Sequence, residues 1–121
     1  MLLIDANAIL RYILCDIEDM AEQVEELLER EIVTVQNEVL AEVVYVLGKV
    51  YKLSRTEISS VIVQFLNLSN VEIRDKPVII LALETFGQTK LDFVDTLLYA
   101  YYILKDAEVF TFDKELRSKM G

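Results

Sequence analysis

The sequence predicts an α/β fold in which helices cover both sides of a mainly parallel sheet. Three observations carry that expectation: short β-branched or aromatic runs recur along the 121 residues, longer stretches between them repeat apolar residues at helical spacing, and 54% of the chain is apolar. Strands separated by helical segments imply right-handed crossovers and parallel neighbours. One Pro (Pro77) and three Gly leave no room for a flexible linker, so residues 1–121 read as one domain.

The first run, residues 2–4 (LLI), reads as a buried strand, followed by a helix over residues 6–14. Residues 18–30 form a second helix, with Met20, Val24, Leu27 and Leu28 on one stripe and Glu residues opposite, a solvated acidic face. Residues 32–35 (IVTV) give the next strand, and residues 36–52 a helix with Val39, Val43, Val46 and Val50 on one stripe and Leu40, Val44, Leu47 and Tyr51 beside it. Ser54 ahead of Arg55-Thr56-Glu57 is a capping box that opens a helix over residues 55–67. Residues 71–73 (VEI) form a third strand, and a helix over residues 75–87 carries Pro77 near its start and Gly87 as its stop. Residues 91–105 form a helix, residues 109–112 (VFTF) a fourth strand, and a short helix begins at residue 114.

Formal charge is −9, which argues against a polyanionic partner until its distribution is considered. Residues 16–31 hold eight acids and one base, so most of the acidity belongs to one helix. Without His, a His-ligated zinc site and every Ser-His or Cys-His arrangement are excluded. The lone Cys15 reads as a buried thiol in a cytoplasmic protein. The N-terminus lacks a basic leader, and no apolar stretch is long enough for a membrane span.

In open parallel sheets, ligands bind beyond the carboxyl ends of the strands. Asp5 follows the first strand and Asp113 the last, although each also suits a helix N-cap. Glu42 sits within the apolar helix of residues 36–52, on a polar ridge with Glu38, Tyr45 and Lys49. A carboxylate flanked by so much apolar surface is costly unless a cation compensates it. Asp92 and Asp95 share a helix face that Tyr99 and Tyr102 continue, with Asp95 one turn inside the helix. Gathered in one place, these acids could not all ionise without a cation, and oxygen-only ligation favours Mg²⁺ or Mn²⁺. The chemistry that follows is hydrolysis of a phosphodiester. Asn7 and Thr111 stand beside Asp5 and Asp113 to orient ligands, while Arg11, Lys49, Lys52 and Arg55 are candidate phosphate contacts.

The segments LLIDANAILRYIL, NEVLAEVVYVLGKVYKLSR, LDFVDTLLYAYYI and VFTFDKEL, in that order and spacing, resemble PIN-domain ribonucleases, specifically VapC-type toxins of prokaryotic toxin–antitoxin pairs. The resemblance implies a three-layer α/β/α sandwich on a parallel sheet of four or five strands. It also implies a Mg²⁺- or Mn²⁺-dependent endoribonuclease acting on RNA, commonly a homodimer held inactive by a cognate antitoxin. Carried over residue by residue, Asp5, Asp95 and Asp113 match the family's metal-binding aspartates, Glu42 its glutamate, and Asp92 an additional acid of a D-F-x-D variant. Ala6 replaces the hydroxyl residue that many members carry after the first Asp, and only eight residues follow Asp113, little for a closing edge strand.

Two other readings stand beside this one. A haloacid-dehalogenase-like phosphatase also begins with a strand-end Asp, but it needs D-x-D, and the second position here is Asn7. A catalytically inactive PIN-like interaction module would keep the fold and bind a partner through its apolar helices. Divalent-dependent RNA cleavage separates it from the nuclease.

Overall fold

The computed structural model describes residues 1–121. Its elements run β1 (Leu2–Leu3), α1 (Ala6–Leu14), α2 (Glu18–Arg30), β2 (Val33–Val35), α3 (Asn37–Lys49), α4 (Arg55–Leu66), β3 (Val71–Ile73), α5 (Lys76–Gln88), α6 (Phe93–Lys105) and α7 (Lys114–Met120). The sheet has the order β1-β2-β3, and both pairings are parallel. β2 is central, pairing Val33 with Leu2 on one side and with Val71 on the other. Val33 and Val35 are almost fully buried, as expected of a strand covered by crossover helices.

The core is one apolar cluster drawn from β2, β3, Ile4 just after β1, and α1 through α6. Leu40, Val43, Val44 and Leu47 give α3 its buried face, while Ile58, Ile62, Phe65 and Leu66 do so for α4. Tyr12 of α1 meets Phe65 of α4 with ring centres 5.7 Å apart, joining the first crossover to the second. On α2 the buried residues are Ala21, Val24 and Leu28, and Met20 turns outward instead of completing the stripe. Val50 is also exposed, because α3 ends at Lys49 and the chain turns away there.

Several expectations need correction. The sheet has three strands, not four or five, because residues 109–112 do not pair. Alternation along VFTF sends its two largest side chains outward: Phe110 is 86% exposed and Phe112 82% exposed, packed edge to face on each other at 5.2 Å. Pairing that segment would bury mainly Val109 and Thr111, against an edge strand of two residues. β1 is itself exposed, with Leu2 and Leu3 at 38% and 50%.

Gly87 lies inside α5 rather than ending it. A Cβ there would stand 3.0 Å from the Cβ of Ser59, so this glycine lets α5 approach α4 closely. Cys15 is exposed, not buried; it closes α1 in the left-handed conformation, and its thiol donates to the Tyr12 carbonyl at 3.2 Å. Ser54 and Glu57 form the expected reciprocal capping box of α4. No helix is long and apolar enough to cross a membrane.

Candidate functional site

Asp5 and Asp113 both stand in extended backbone just before a helix, and both cap it. Oδ1 of Asp5 accepts from the Ala8 amide at 2.8 Å, and Oδ1 of Asp113 accepts from the Leu116 amide at 2.8 Å. Capping fixes the direction of each exposed carboxylate and engages one of its two oxygens. Thr111 builds the turn in front of Asp113, its Oγ1 accepting from the Asp113 amide at 3.0 Å, while Arg117 donates to the Thr111 carbonyl at 2.7 Å.

Asp92 is the N-cap residue of α6 without a capping bond from its side chain. Asp95 therefore lies in the first helical turn, not one turn inside, at an end where the helix dipole favours negative charge. Asp95 is half-buried, and its carboxyl is pushed above the ordinary aspartate value, first by burial and then by the negative charges of Asp113 and Asp92. The residues that follow on this face hold α7: Tyr102 Oη donates to the Met120 carbonyl at 2.6 Å, and Lys119 Nζ lies 4.9 Å from the centre of the Tyr99 ring. Those contacts fold the segment carrying Asp113 back toward α6.

Of the other four acids, Asp113 and Asp92 act on Asp95, whereas neither Asp5 nor Glu42 is among the charges that perturb it. Glu42 is exposed on the ridge of α3 with Glu38, Tyr45 and Lys49, so it bears none of the burial cost expected of it. No three Asp, Glu or Cys side chains converge into a cage for an ion. The donor set still suits a hard dication that binds through one or two carboxylates and keeps its waters, the habit of Mg²⁺ rather than of calcium or zinc.

The cations divide sharply. Arg11 donates to Asp16 Oδ2 and to Tyr51 Oη, each at 2.9 Å, and Arg55 donates to the carbonyls of Phe86 and Leu91. Their donors serve the fold, and burial lowers the Arg55 pKa from its ordinary value even though Asp92 and Glu115 favour its charge. Lys49 and Lys52 are exposed, and Lys49 lines a cleft of about 600 Å³ that Asp92 and Asp95 also line. Asn7 is exposed in the first turn of α1, two residues from Asp5.

The sequence reading passed over Asp75, which follows β3 as Asp5 follows β1. Its Oδ2 accepts from Tyr101 Oη at 2.9 Å and its Oδ1 lies 3.7 Å from Lys105 Nζ, so this carboxylate is already paired. The strand-end position was the signal available for finding it.

The family model of the PIN domain matches residues 2–120, nearly the whole chain. The chain belongs to the PIN-domain family. PIN domains are generally metal-dependent nucleases, and the α/β architecture with its parallel sheet fits that membership. No curated protein and no solved structure gives a significant match to the chain. In this PIN domain Asp95 and the two acids whose charge acts on it, Asp92 and Asp113, lie where α6 begins and where the chain enters α7.

Proposed function

We propose that this PIN domain, occupying residues 1–121, is an endoribonuclease that hydrolyses RNA phosphodiester bonds with Mg²⁺ or Mn²⁺. The observation that carries the reading is the PIN-domain match over residues 2–120, and the half-buried Asp95, with Asp113 and Asp92 acting on it, supports it. A group so placed gains from a dication that neutralises all three.

Asp95 and Asp113 would hold the ion directly, with Asp5, Glu42 and Asp92 completing its surroundings through water. When bound, the ion lowers the pKa of a water and offsets charge building on the scissile phosphate. The caps made by Asp5 and Asp113 aim their free oxygens before any ion arrives, which limits the ordering cost of binding. Lys49, which lines the same cleft as Asp92 and Asp95, would meet the phosphate backbone of RNA. Asn7 and Thr111 act as orienting neighbours of Asp5 and Asp113.

The finer biological reading is a VapC-type toxin in the cytoplasm, restrained by a cognate antitoxin and working as a homodimer. An apolar stripe on α6, formed by Val94, Leu98 and Tyr102 at successive turns and exposed by 58%, 37% and 36%, supports association with another protein surface. The competing reading, an inactive PIN-like interaction module, draws on the lack of a three-carboxylate cage.

Incubation of the purified protein with RNA, with Mg²⁺ and then with chelator, decides between the two. The nuclease reading expects cleavage with Mg²⁺, none with chelator and none from a folded Asp95→Asn variant. Cleavage by that variant at the parent rate removes the assigned site, and a metal-replete parent that never cuts RNA favours the module. Growth arrest on expression, relieved by the product of a small adjacent reading frame, tests the toxin role.

A further inference from the structure

Asp113 reaches the neighbourhood of Asp95 without help from the chain that leads to it. Residues 108–112 make no backbone–backbone hydrogen bond, and Phe110 and Phe112 are exposed. The residues that follow brace one another instead. Asp113 accepts from the Leu116 amide, Thr111 Oγ1 accepts from the Asp113 amide, and Arg117 donates to the Thr111 carbonyl. Asp113 and α7 are therefore one piece, and the seating of α7 on α6 decides where that carboxylate goes.

The seating has few fastenings. Leu116 is fully buried, Lys119 Nζ lies 4.9 Å from the centre of the Tyr99 ring, and Tyr102 Oη donates to the Met120 carbonyl at 2.6 Å. Tyr102 stands seven residues beyond Asp95, and Met120 seven beyond Asp113. At a rise of about 1.5 Å per residue each span covers about 10 Å, so α7 runs beside α6 in the same direction and in step with it. Fastening Met120 to Tyr102 thus sets Asp113 level with Asp95. Against the fastening works the charge of Asp113, which acts unfavourably on the Asp95 carboxylate.

We infer that Tyr102 is a positioning residue of the acidic site: its hydrogen bond to Met120 holds α7 on α6, and with it Asp113 beside Asp95, so that divalent-metal binding and α7 docking strengthen each other. The inference rests on the metal-dependent reading of these acids. In the metal-free chain the like charges of Asp95 and Asp113 push α7 outward, and a dication between them turns that push into attraction. Linkage makes the coupling reciprocal: a change that loosens α7 weakens the metal, and the metal tightens α7. Tyr102 itself touches neither the ion nor the substrate.

Mn²⁺ binding to the purified full chain, followed by electron paramagnetic resonance, tests this without any RNA. Tyr102→Phe removes one hydroxyl and keeps the ring. It should weaken Mn²⁺ binding roughly 2- to 12-fold, the factor that one hydrogen bond supplies. Hydrogen exchange gives a second readout: Mn²⁺ should slow the α7 amides of the parent and slow them less in Tyr102→Phe, while the β2 amides exchange alike in both proteins.

Parent-like Mn²⁺ affinity in Tyr102→Phe overturns the inference. So does a loss of affinity accompanied by equally faster exchange in β2, the mark of a general loosening. A parent that takes up no Mn²⁺ overturns the inference together with the metal reading. A parent that shows the whole Mn²⁺ pattern yet never cleaves RNA sinks the nuclease reading alone and leaves the role of Tyr102 standing.

Discussion

Arg55 lies over Phe86, its guanidinium carbon 3.8 Å from the ring centre, while donating to the Phe86 and Leu91 carbonyls. One side chain from the first turn of α4 therefore ties down the end of α5 and the turn that leads into Asp92. Arg55→Ala is expected to destabilise the protein by about 2 kcal/mol or more, since it leaves two inward carbonyls without a charged donor. Arg55→Lys should recover less than half, because an ammonium lacks the planar fork that reaches both carbonyls and stacks on the ring. Urea denaturation of the three proteins measures this.

The burial of Asp95, and after it the like charges of Asp113 and Asp92, lead to a prediction of opposite sign. The raised pKa of Asp95 means that ionisation is harder in the folded chain than in the unfolded one. The penalty is nil below the unfolded pKa, grows as pH rises toward the folded pKa, and stays constant above it. Metal-free Asp95→Asn should therefore be more stable than the parent at neutral pH and lose that advantage in acid. Mg²⁺ should raise the Tm of the parent and not of the variant, which thermal scans with and without chelator will read.

The two helical glycines should respond differently to the same change. Gly48→Ala adds a methyl with ordinary contact to Ile58 and removes a flexible residue from α3, so a gain of roughly 0.5–1 kcal/mol is expected. Gly87→Ala places its methyl 3.0 Å from the Cβ of Ser59 and should show no gain or a loss. Chemical denaturation of both variants checks the contrast.

At the start of α4, Ser54→Ala should cost about 1 kcal/mol, the usual value of such a cap. Glu57 accepts from the Ser54 amide at 2.9 Å, and this backbone bond, followed by the side-chain bond, holds its carboxyl below the ordinary value. The stabilisation is present above the unfolded pKa and fades as pH falls through the folded one. The stability difference between parent and Glu57→Gln should therefore shrink on acidification, measured by denaturation at several pH values.

Helices α1 and α2 were legible to the residue, because Asp5 supplies a cap and α2 separates acidic and apolar faces cleanly. The capping box located the start of α4, while its end falls at Leu66, one residue short of the expected 67. The segment at residues 109–112 misled because alternation and β-propensity say nothing about whether a partner edge is long enough to reward pairing. Gly87 misled because a glycine needed for helix approach looks, in sequence, like a helix stop. For the site, spacing flagged the aspartates of α6 and the strand-end acids, but which charges act on one another depends on tertiary placement. Arg11 and Arg55 read as phosphate contacts for the same reason: a sequence does not reveal that an arginine's donors are already spent on Tyr51 or on backbone carbonyls.

The two-residue β1 gives Asp5 its address in the molecule, yet it has a neighbour on only one side. A border strand with so few rungs opens at far lower free energy than the global transition, so its amides should exchange with deuterium well ahead of those in β2. A ligand that engages Asp5 must first quieten that fraying end, so occupancy of the acidic site and order at the N-terminus rise together.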